Sequence, residues 1–163
     1  MVNSRPDQPW HPLWIRNDTE LGTETCVASP NSTGSPAAAS ATGTRAASFN
    51  RLQLRASGWP PASAVMWLTA LGPRAPLQPP GSDGFLCLGN ALGRFNRAGE
   101  ILLSDASGLA VLSPDLSDLP DPTQTSVAVM PPETRHFQAW FRDTTSGGGA
   151  TSNFTPAISV PFR

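Results

Sequence analysis

The last thirty residues of the chain carry the pattern that most restricts its fold. Residues 134–143 read TRHFQAWFRD and residues 153–162 read NFTPAISVPF. Successive side chains of a β-strand point to opposite faces of a sheet, and the alternation in both segments therefore predicts two strands. The nine residues between them, TTSGGGATS, predict a flexible turn. We expect a long β-hairpin here that organises the rest of the fold.

The alternation also assigns the side chains of this hairpin to faces. One face of the first strand carries Phe137, Ala139 and Phe141, and the other carries His136, Gln138, Trp140 and Arg142. The second strand is predicted to place Phe154, Pro156, Ile158, Val160 and Phe162 on one apolar face. Two apolar faces of matching period can be buried together.

Upstream of the hairpin, short strands joined by turns are expected, because 18 prolines and 14 glycines interrupt the chain. Residues 48–57 alternate as a strand with one wet face, and residues 64–71 are apolar on both faces, as in a covered central strand. Residues 100–103 and 109–112 predict a hairpin. The count is eight or nine strands, which indicates an all-β, antiparallel β-sandwich over residues 26–163 preceded by an extended arm, residues 1–25.

The charge and the motifs exclude several classes of function. A net charge of −1 lacks the basic surface of a nucleic-acid-binding protein, and no apolar run is long enough to insert into a membrane. The two histidines, His11 and His136, belong to no Ser–His–Asp or HExxH pattern, and the aspartates lack the spacing of a calcium-binding loop. We therefore expect a protein without a metal, a cofactor or a catalytic site.

Cys26 and Cys87 are the two cysteines, and a disulfide between them is predicted. It would close a loop of about 60 residues, stabilise the fold by about 4 kcal/mol and indicate an extracellular or cell-surface location. The alternative is a pair of buried free thiols. The first ten residues lack the apolar region of a signal peptide, so secretion would require a signal already removed or a longer precursor.

Two tryptophans are candidate ligand-binding residues. Trp140, flanked on its face by His136, Gln138 and Arg142, could stack on a sugar ring if it is exposed. Trp59, in a turn flanked by proline, is the second candidate. The alternative is that Trp140 is buried under a loop and that Arg142 pairs with an acidic side chain.

The proline-rich arm contains the apolar residues Trp10, Trp14 and Ile15. Such a segment is too aromatic for an inert linker. It could pack across its own sandwich, or it could bind a neighbouring subunit and act as a device for assembly.

Four segments in order, CVASPNSTGSPA, GFLCLGNALGRF, FQAWFRD and SNFTPAISVPF, resemble a β-rich module found at the C-terminal end of large secreted and cell-surface proteins of environmental bacteria. The resemblance covers residues 26–162. It implies an extracellular all-β module with paired cysteines, and it implies no activity.

The function expected from the sequence is therefore that of a non-catalytic, extracellular structural or adhesive protein. It could self-assemble as a filament or surface-layer subunit, with other copies or cell-surface components as its partners. The alternative is a carbohydrate-binding module that recognises a polysaccharide. A hydrolase whose site the sequence does not reveal is a third, weaker hypothesis.

Overall fold

The structure is a computed structural model that describes residues 19–89, 91–123 and 125–163. These residues form fifteen β-strands and one short 3₁₀-helix, Ala47–Phe49, and every strand pairing is antiparallel. The strands are β1 (Glu20–Leu21), β2 (Thr23–Glu24), β3 (Ala38–Gly43), β4 (Leu52–Ser57), β5 (Ala64–Ala70), β6 (Pro73–Leu77), β7 (Leu86–Leu88), β8 (Gly93–Arg94), β9 (Leu102–Leu103), β10 (Leu109–Leu112), β11 (Leu119–Pro120), β12 (Ser126–Val127), β13 (Thr134–Thr144), β14 (Ala150–Phe154) and β15 (Ile158–Pro161).

The predicted class, an all-β antiparallel sandwich, is confirmed, with more and shorter strands than the sequence indicated. Eight of the described strands have four residues or more, and the others are pairings of two or three residues. Frequent proline and glycine explain these short strands, because proline has no N–H to donate to a sheet and glycine favours turns.

Two sheets form the sandwich. The smaller has the strand order β1-β3-β4-β10, and the larger has the order β2-β15-β13-β5-β8, with β14 also paired to β13 and β9 also paired to β5. The main core lies between them. Alternate residues of β4, namely Leu52, Leu54 and Ala56, enter this core, as predicted.

The central pair of the larger sheet is β5 against β13, with Trp67 opposite Ala139. Side chains on one face of this pair, including Trp67, Phe137 and Phe141, are fully buried in the main core. The opposite face is also covered, because a second apolar cluster lies between it and the β6–β7 hairpin. The predicted apolar face of Phe137, Ala139 and Phe141 is therefore confirmed. The covered central strand is confirmed over Ala64–Ala70, whereas Leu71, the last residue of the predicted range, is 63% exposed.

The second arm of the predicted hairpin is divided by a β-bulge. Trp140 lies opposite Phe154, whereas Phe137 lies opposite Ile158, so three steps along β13 match four steps along its partner. A shift of one residue reverses the face of every later side chain. The prediction that Phe154 and Ile158 share a face is therefore wrong: Phe154 packs in the second cluster and Ile158 in the main core.

Thr155 stabilises this bulge. Its backbone N–H donates to the carbonyl of Ala139 at 3.0 Å, and its hydroxyl accepts from the N–H of Ala139 at 3.0 Å. The same hydroxyl donates to the carbonyl of Pro156 at 2.9 Å. Because Pro156 has no N–H, the regular ladder cannot continue through it.

The predicted hairpin of residues 100–112 does not form. Instead, β9 pairs with β5 in the larger sheet and β10 pairs with β4 in the smaller one. Between them Asp105 accepts hydrogen bonds from the N–H groups of Ser107 and Leu109, which fixes a corner where the chain changes sheets. Apolar alternation indicated the strands correctly but contained no information on their partners.

The described residues of the predicted arm belong to the sheets. Glu20–Leu21 pairs with β3 and Thr23–Glu24 pairs with β15, so the chain crosses from one sheet to the other within five residues. Gly22, with φ of +82°, makes this crossing possible, because a side chain there would overlap the carbonyl of Ser159.

Candidate functional site

The stripe that the sequence singled out lies on the outer face of β13, towards the second cluster. It does not form an exposed surface: Gln138 is 0% exposed and His136 is 7% exposed, and Trp140 is half-buried. Only Arg142 is freely exposed. The expectation of a flat, exposed binding face is therefore wrong for His136 and Gln138. Gln138 is covered by the segment that includes β7.

Gln138 connects β13 to the covering layer. Its Oε1 accepts a hydrogen bond from the N–H of Cys87 at 2.9 Å, and its Nε2 donates to the carbonyl of Phe85 at 2.9 Å. The same Nε2 donates to the carbonyl of Thr155 at 2.8 Å. Three backbone groups that would otherwise be buried without a partner are thus satisfied by one amide.

Cys26 and Cys87 form a disulfide, as predicted, and both side chains pack in the second cluster. Cys87 belongs to β7, and Cys26 follows β2 by two residues. The bond therefore ties the start of the described chain to the layer that Gln138 holds on the central strand. The alternative of two free thiols is excluded.

His136 and Ser159 form a pair that the sequence analysis did not identify. His136 Nδ1 lies 2.6 Å from Ser159 Oγ, because β13 and β15 place these residues opposite each other. Burial lowers the pKa of His136, so the ring is neutral near pH 7. No carboxylate is hydrogen-bonded to His136 among the described residues, so the pair lacks the third member of a catalytic triad.

Trp140 lies at the edge of the second cluster, and the guanidinium carbon of Arg142 lies 5.1 Å from the centre of its ring. This is a cation–π contact. It differs from both predicted arrangements, since Trp140 is neither fully exposed nor fully buried and no acidic partner of Arg142 is found among the described residues. A sugar that stacked on this face of the indole would have to displace Arg142.

Trp59 is part of the main core. Its ring centre lies 5.1 Å from that of Phe141, and only 2% of its surface is exposed. Its role as a surface ligand-binding residue is therefore corrected to that of a core residue. The carbonyl oxygen of Trp59 also approaches Gly108 so closely that a side chain at position 108 would not fit.

A network around Asp143 attaches a loop to the end of β13. Asp143 is buried, and its carboxylate accepts from the N–H of Ser32 at 3.1 Å and from the N–H of Thr144 at 2.9 Å. Asn153 Nδ2 donates to the carbonyl of Pro30 at 3.0 Å. These buried polar groups are used to hold the structure together.

Three aspartates, of which Asp105 and Asp115 are exposed and Asp121 is half-buried, cap turns in the same way. Asp105, Asp115 and Asp121 each accept from the N–H and hydroxyl of the residue two positions later. The pKa of each carboxyl is lowered, mainly by one side-chain hydrogen bond. The donor is Ser107 for Asp105, Ser117 for Asp115 and Thr125 for Asp121. Their oxygens are thus engaged by the protein itself.

A cavity of about 240 Å³ lies between β5, β8 and β11. Its lining is mainly apolar. Arg135 contributes to it, and the Nε of this buried side chain is paired with Glu133 Oε1. Because the charge of Arg135 is compensated by Glu133, no unpaired cation lines the cavity among the residues that the structure describes.

In the part of the chain that the structure describes, no three His, Cys, Asp or Glu side chains are grouped so that they could hold a metal ion. No helix of these residues has the length and apolar character needed to cross a bilayer. The predicted assembly residues Trp10, Trp14 and Ile15, and also His11, lie outside the described residues.

Comparison of the chain with protein-family models, curated proteins and solved structures finds no match.

Proposed function

We propose that the chain is a non-catalytic, extracellular structural module. The observation that carries this proposal is the use of the candidate site residues: Gln138 and the Cys26–Cys87 disulfide fasten one layer of the fold to its central strand. Chemical groups that could have served a binding or catalytic role are instead occupied in cross-linking the sandwich. A disulfide persists in oxidising surroundings, which supports an extracellular location.

Self-assembly is the form of structural role that the surface favours. β10 is the last strand of the smaller sheet, and among the described residues its other edge is unpaired. Ile101, Leu103 and Val111 near this edge are exposed, with Leu103 at 71%. An open strand edge with apolar side chains can add a strand from another copy, and an antiparallel edge is self-complementary about a two-fold axis.

The mass in solution tests this proposal. Light scattering combined with size-exclusion chromatography is expected to find oligomers whose fraction rises with protein concentration. Val111→Lys should reduce that fraction at least tenfold, since a charge at a strand edge opposes pairing. Arg55→Lys on the neighbouring strand is the matched control and should leave the fraction unchanged. A monomer at all concentrations would exclude self-assembly.

The absence of catalysis is tested separately. The Ser159–His136 pair is the arrangement that most resembles a nucleophile with its base. An alkyl fluorophosphonate, which labels activated serines, should not modify the protein. Labelling that is lost in Ser159→Ala would overturn the proposal and favour a hydrolase.

A carbohydrate-binding module is the second candidate, because Trp140 retains some exposure beside the exposed Arg142. If this function is correct, Trp140→Ala should abolish retention on an immobilised polysaccharide. Phe49→Ala is the control, because it removes an exposed aromatic ring that is distant from Trp140 in the sequence. Equal retention of the two variants and the unmodified protein would exclude the function.

A further inference from the structure

The free edge of β10 is blocked at its start. In an antiparallel strand the N–H and C=O of one residue point to the same neighbour, and those of the next residue point to the opposite side. The C=O of Leu109 accepts a hydrogen bond from the N–H of Asp105 at 3.0 Å, and the N–H of Leu109 donates to Oδ1 of Asp105 at 3.0 Å. The corner that precedes β10 therefore occupies both backbone groups of Leu109.

The register of the smaller sheet shows which residues of β10 face its free edge. The C=O of Arg51 accepts a hydrogen bond from the N–H of Thr44 at 3.1 Å, so the odd-numbered residues of this segment direct their backbone groups towards β3. The even-numbered residues face β10, where Leu54 lies opposite Leu112. Val111, which precedes Leu112, therefore directs its N–H and C=O away from β4.

The edge that remains open is short. Continuing the same alternation one step past the end of β10 assigns Ser113 to the side of Val111, and both residues are exposed. Among the described residues, none is hydrogen-bonded to the backbone groups of these two residues on this side. Pro114 follows and has no N–H, so the edge ends there.

So short an edge allows few registers between two copies, because residues opposite each other in an antiparallel pair lie on the same face of the sheet. If Val111 lay opposite Val111 of a second copy, Ser113 would lie opposite Leu109, whose backbone groups are already bonded to Asp105. If Val111 lies opposite Ser113 of the second copy, the N–H and C=O of both residues find partners in both copies. The second register leaves no open group of this edge without a partner.

We propose that β10 pairs with β10 of a second copy in this second register, about a two-fold axis at Leu112. The inference rests on the self-assembly proposed above and specifies its geometry. At the axis the two Leu112 side chains lie opposite each other on the core face of the joined sheet, which covers the 8% of this residue that is exposed. Because the same edge of both copies is used, the contact closes at a dimer and does not extend into a filament.

Cross-linking of single cysteines tests the register. Val111→Cys and Ser113→Cys are prepared separately, mixed and oxidised with copper phenanthroline. Residues directly opposite have Cα atoms about 5.5 Å apart, within the range of a disulfide, whereas Val111 and its own copy would be about 7 Å apart or more. The mixture should therefore form covalent dimer roughly tenfold faster than either variant alone. Ser146→Cys mixed with Ser113→Cys is the matched control and should remain slow, since Ser146 is exposed in the turn between β13 and β14.

A change to the backbone provides a second test. Ser113→Pro removes an N–H that would donate across the contact and that has no partner on the described chain. The dissociation constant of the dimer, measured by analytical ultracentrifugation, should rise roughly tenfold or more, because each copy loses a hydrogen bond. Ser113→Ala keeps the N–H and should leave the constant unchanged.

The outcomes separate this inference from the proposed function. Oligomers that persist while Val111→Cys alone cross-links as fast as the mixture, or while Ser113→Pro has no effect, would overturn the register and leave self-assembly standing. Species larger than a dimer that grow with protein concentration would overturn the closed contact. A monomer at all concentrations would overturn both proposals.

Discussion

The side-chain Oε1 of Gln138 accepts a hydrogen bond from the backbone N–H of Cys87 at 2.9 Å, so the central strand holds a disulfide-bonded residue of the layer above it. The buried side chain of this glutamine thereby makes the hydrogen bonds to backbone groups that a neighbouring strand would normally make. Cys87 is therefore held in two ways, by the covalent disulfide to Cys26 and by the hydrogen bond to Gln138.

Gln138→Leu tests the strength of this contact. Leucine fills a similar volume but leaves the N–H of Cys87 and the carbonyls of Phe85 and Thr155 without their partner. Each buried group left unsatisfied costs about 1–3 kcal/mol, so we expect the free energy of unfolding to fall by at least about 3 kcal/mol. Gln53→Leu on the half-exposed surface of β4 is the control and should change stability by less than about 0.5 kcal/mol. Urea unfolding measures both, and equal effects would contradict the role of Gln138.

Reduction of the disulfide should destabilise the protein by about 4 kcal/mol, because the bond closes a loop whose ends are 61 residues apart. Guanidinium unfolding of the Cys26→Ala, Cys87→Ala double variant is compared with unfolding of the oxidised protein. A reducing agent should lower the unfolding midpoint of the natural sequence and leave that of the double variant unchanged. An unchanged midpoint in the natural sequence would show that the bond contributes little.

Two buried threonines provide opposite predictions. Thr155→Val removes the hydroxyl that accepts from Ala139 at the bulge and should destabilise the fold by about 1–3 kcal/mol. Thr69 is equally buried, but its hydroxyl has no hydrogen-bond partner. Thr69→Val should therefore be neutral or stabilising by up to about 1 kcal/mol. Thermal unfolding of both variants checks the prediction, which fails if Thr69→Val is the more harmful change.

Stability should decrease as the pH falls below 6.5, the ordinary pKa of histidine. Burial lowers the pKa of His136 in the folded state, so the unfolded chain binds a proton at a higher pH than the folded chain. The contribution of neutral His136 is complete above pH 6.5 and is lost as the pH falls through the folded-state pKa. His136→Gln should flatten the dependence of the melting temperature on pH between 7 and 5. A slope unchanged in this variant would assign the effect to another group.

The sequence predicted the fold class, the disulfide and the apolar face of β13, because each depends on local alternation or on a pair of unique residues. Burial of Phe137, Ala139 and Phe141 follows directly from a period of two. The face of Phe154 could not be obtained in this way, since one extra residue reverses the alternation. Pro156 was the available signal, because a proline within a strand pattern often marks an interruption.

The candidate site was harder to predict, because exposure depends on what lies above a sheet and not on the strand itself. Gln138 has the sequence position of a solvent-facing residue, yet β7, about 50 residues earlier in the chain, covers it. Trp59 was expected in an exposed turn and instead fills the interior beside Phe141. The pairing of His136 with Ser159 depends on the register of two strands, which no local pattern specifies.

The position of β13 in the sheet has a consequence for biosynthesis. This strand starts at Thr134 and joins β5, which ends at Ala70, to β15, which ends at Pro161. A nascent chain that has been translated as far as Met130 therefore holds β5 without its central neighbour, and the larger sheet cannot close until β13 and β15 have both emerged from the ribosome. Apolar segments remain uncovered during this interval, and chaperone protection of the growing polypeptide is expected to matter most before Phe162 joins the interior.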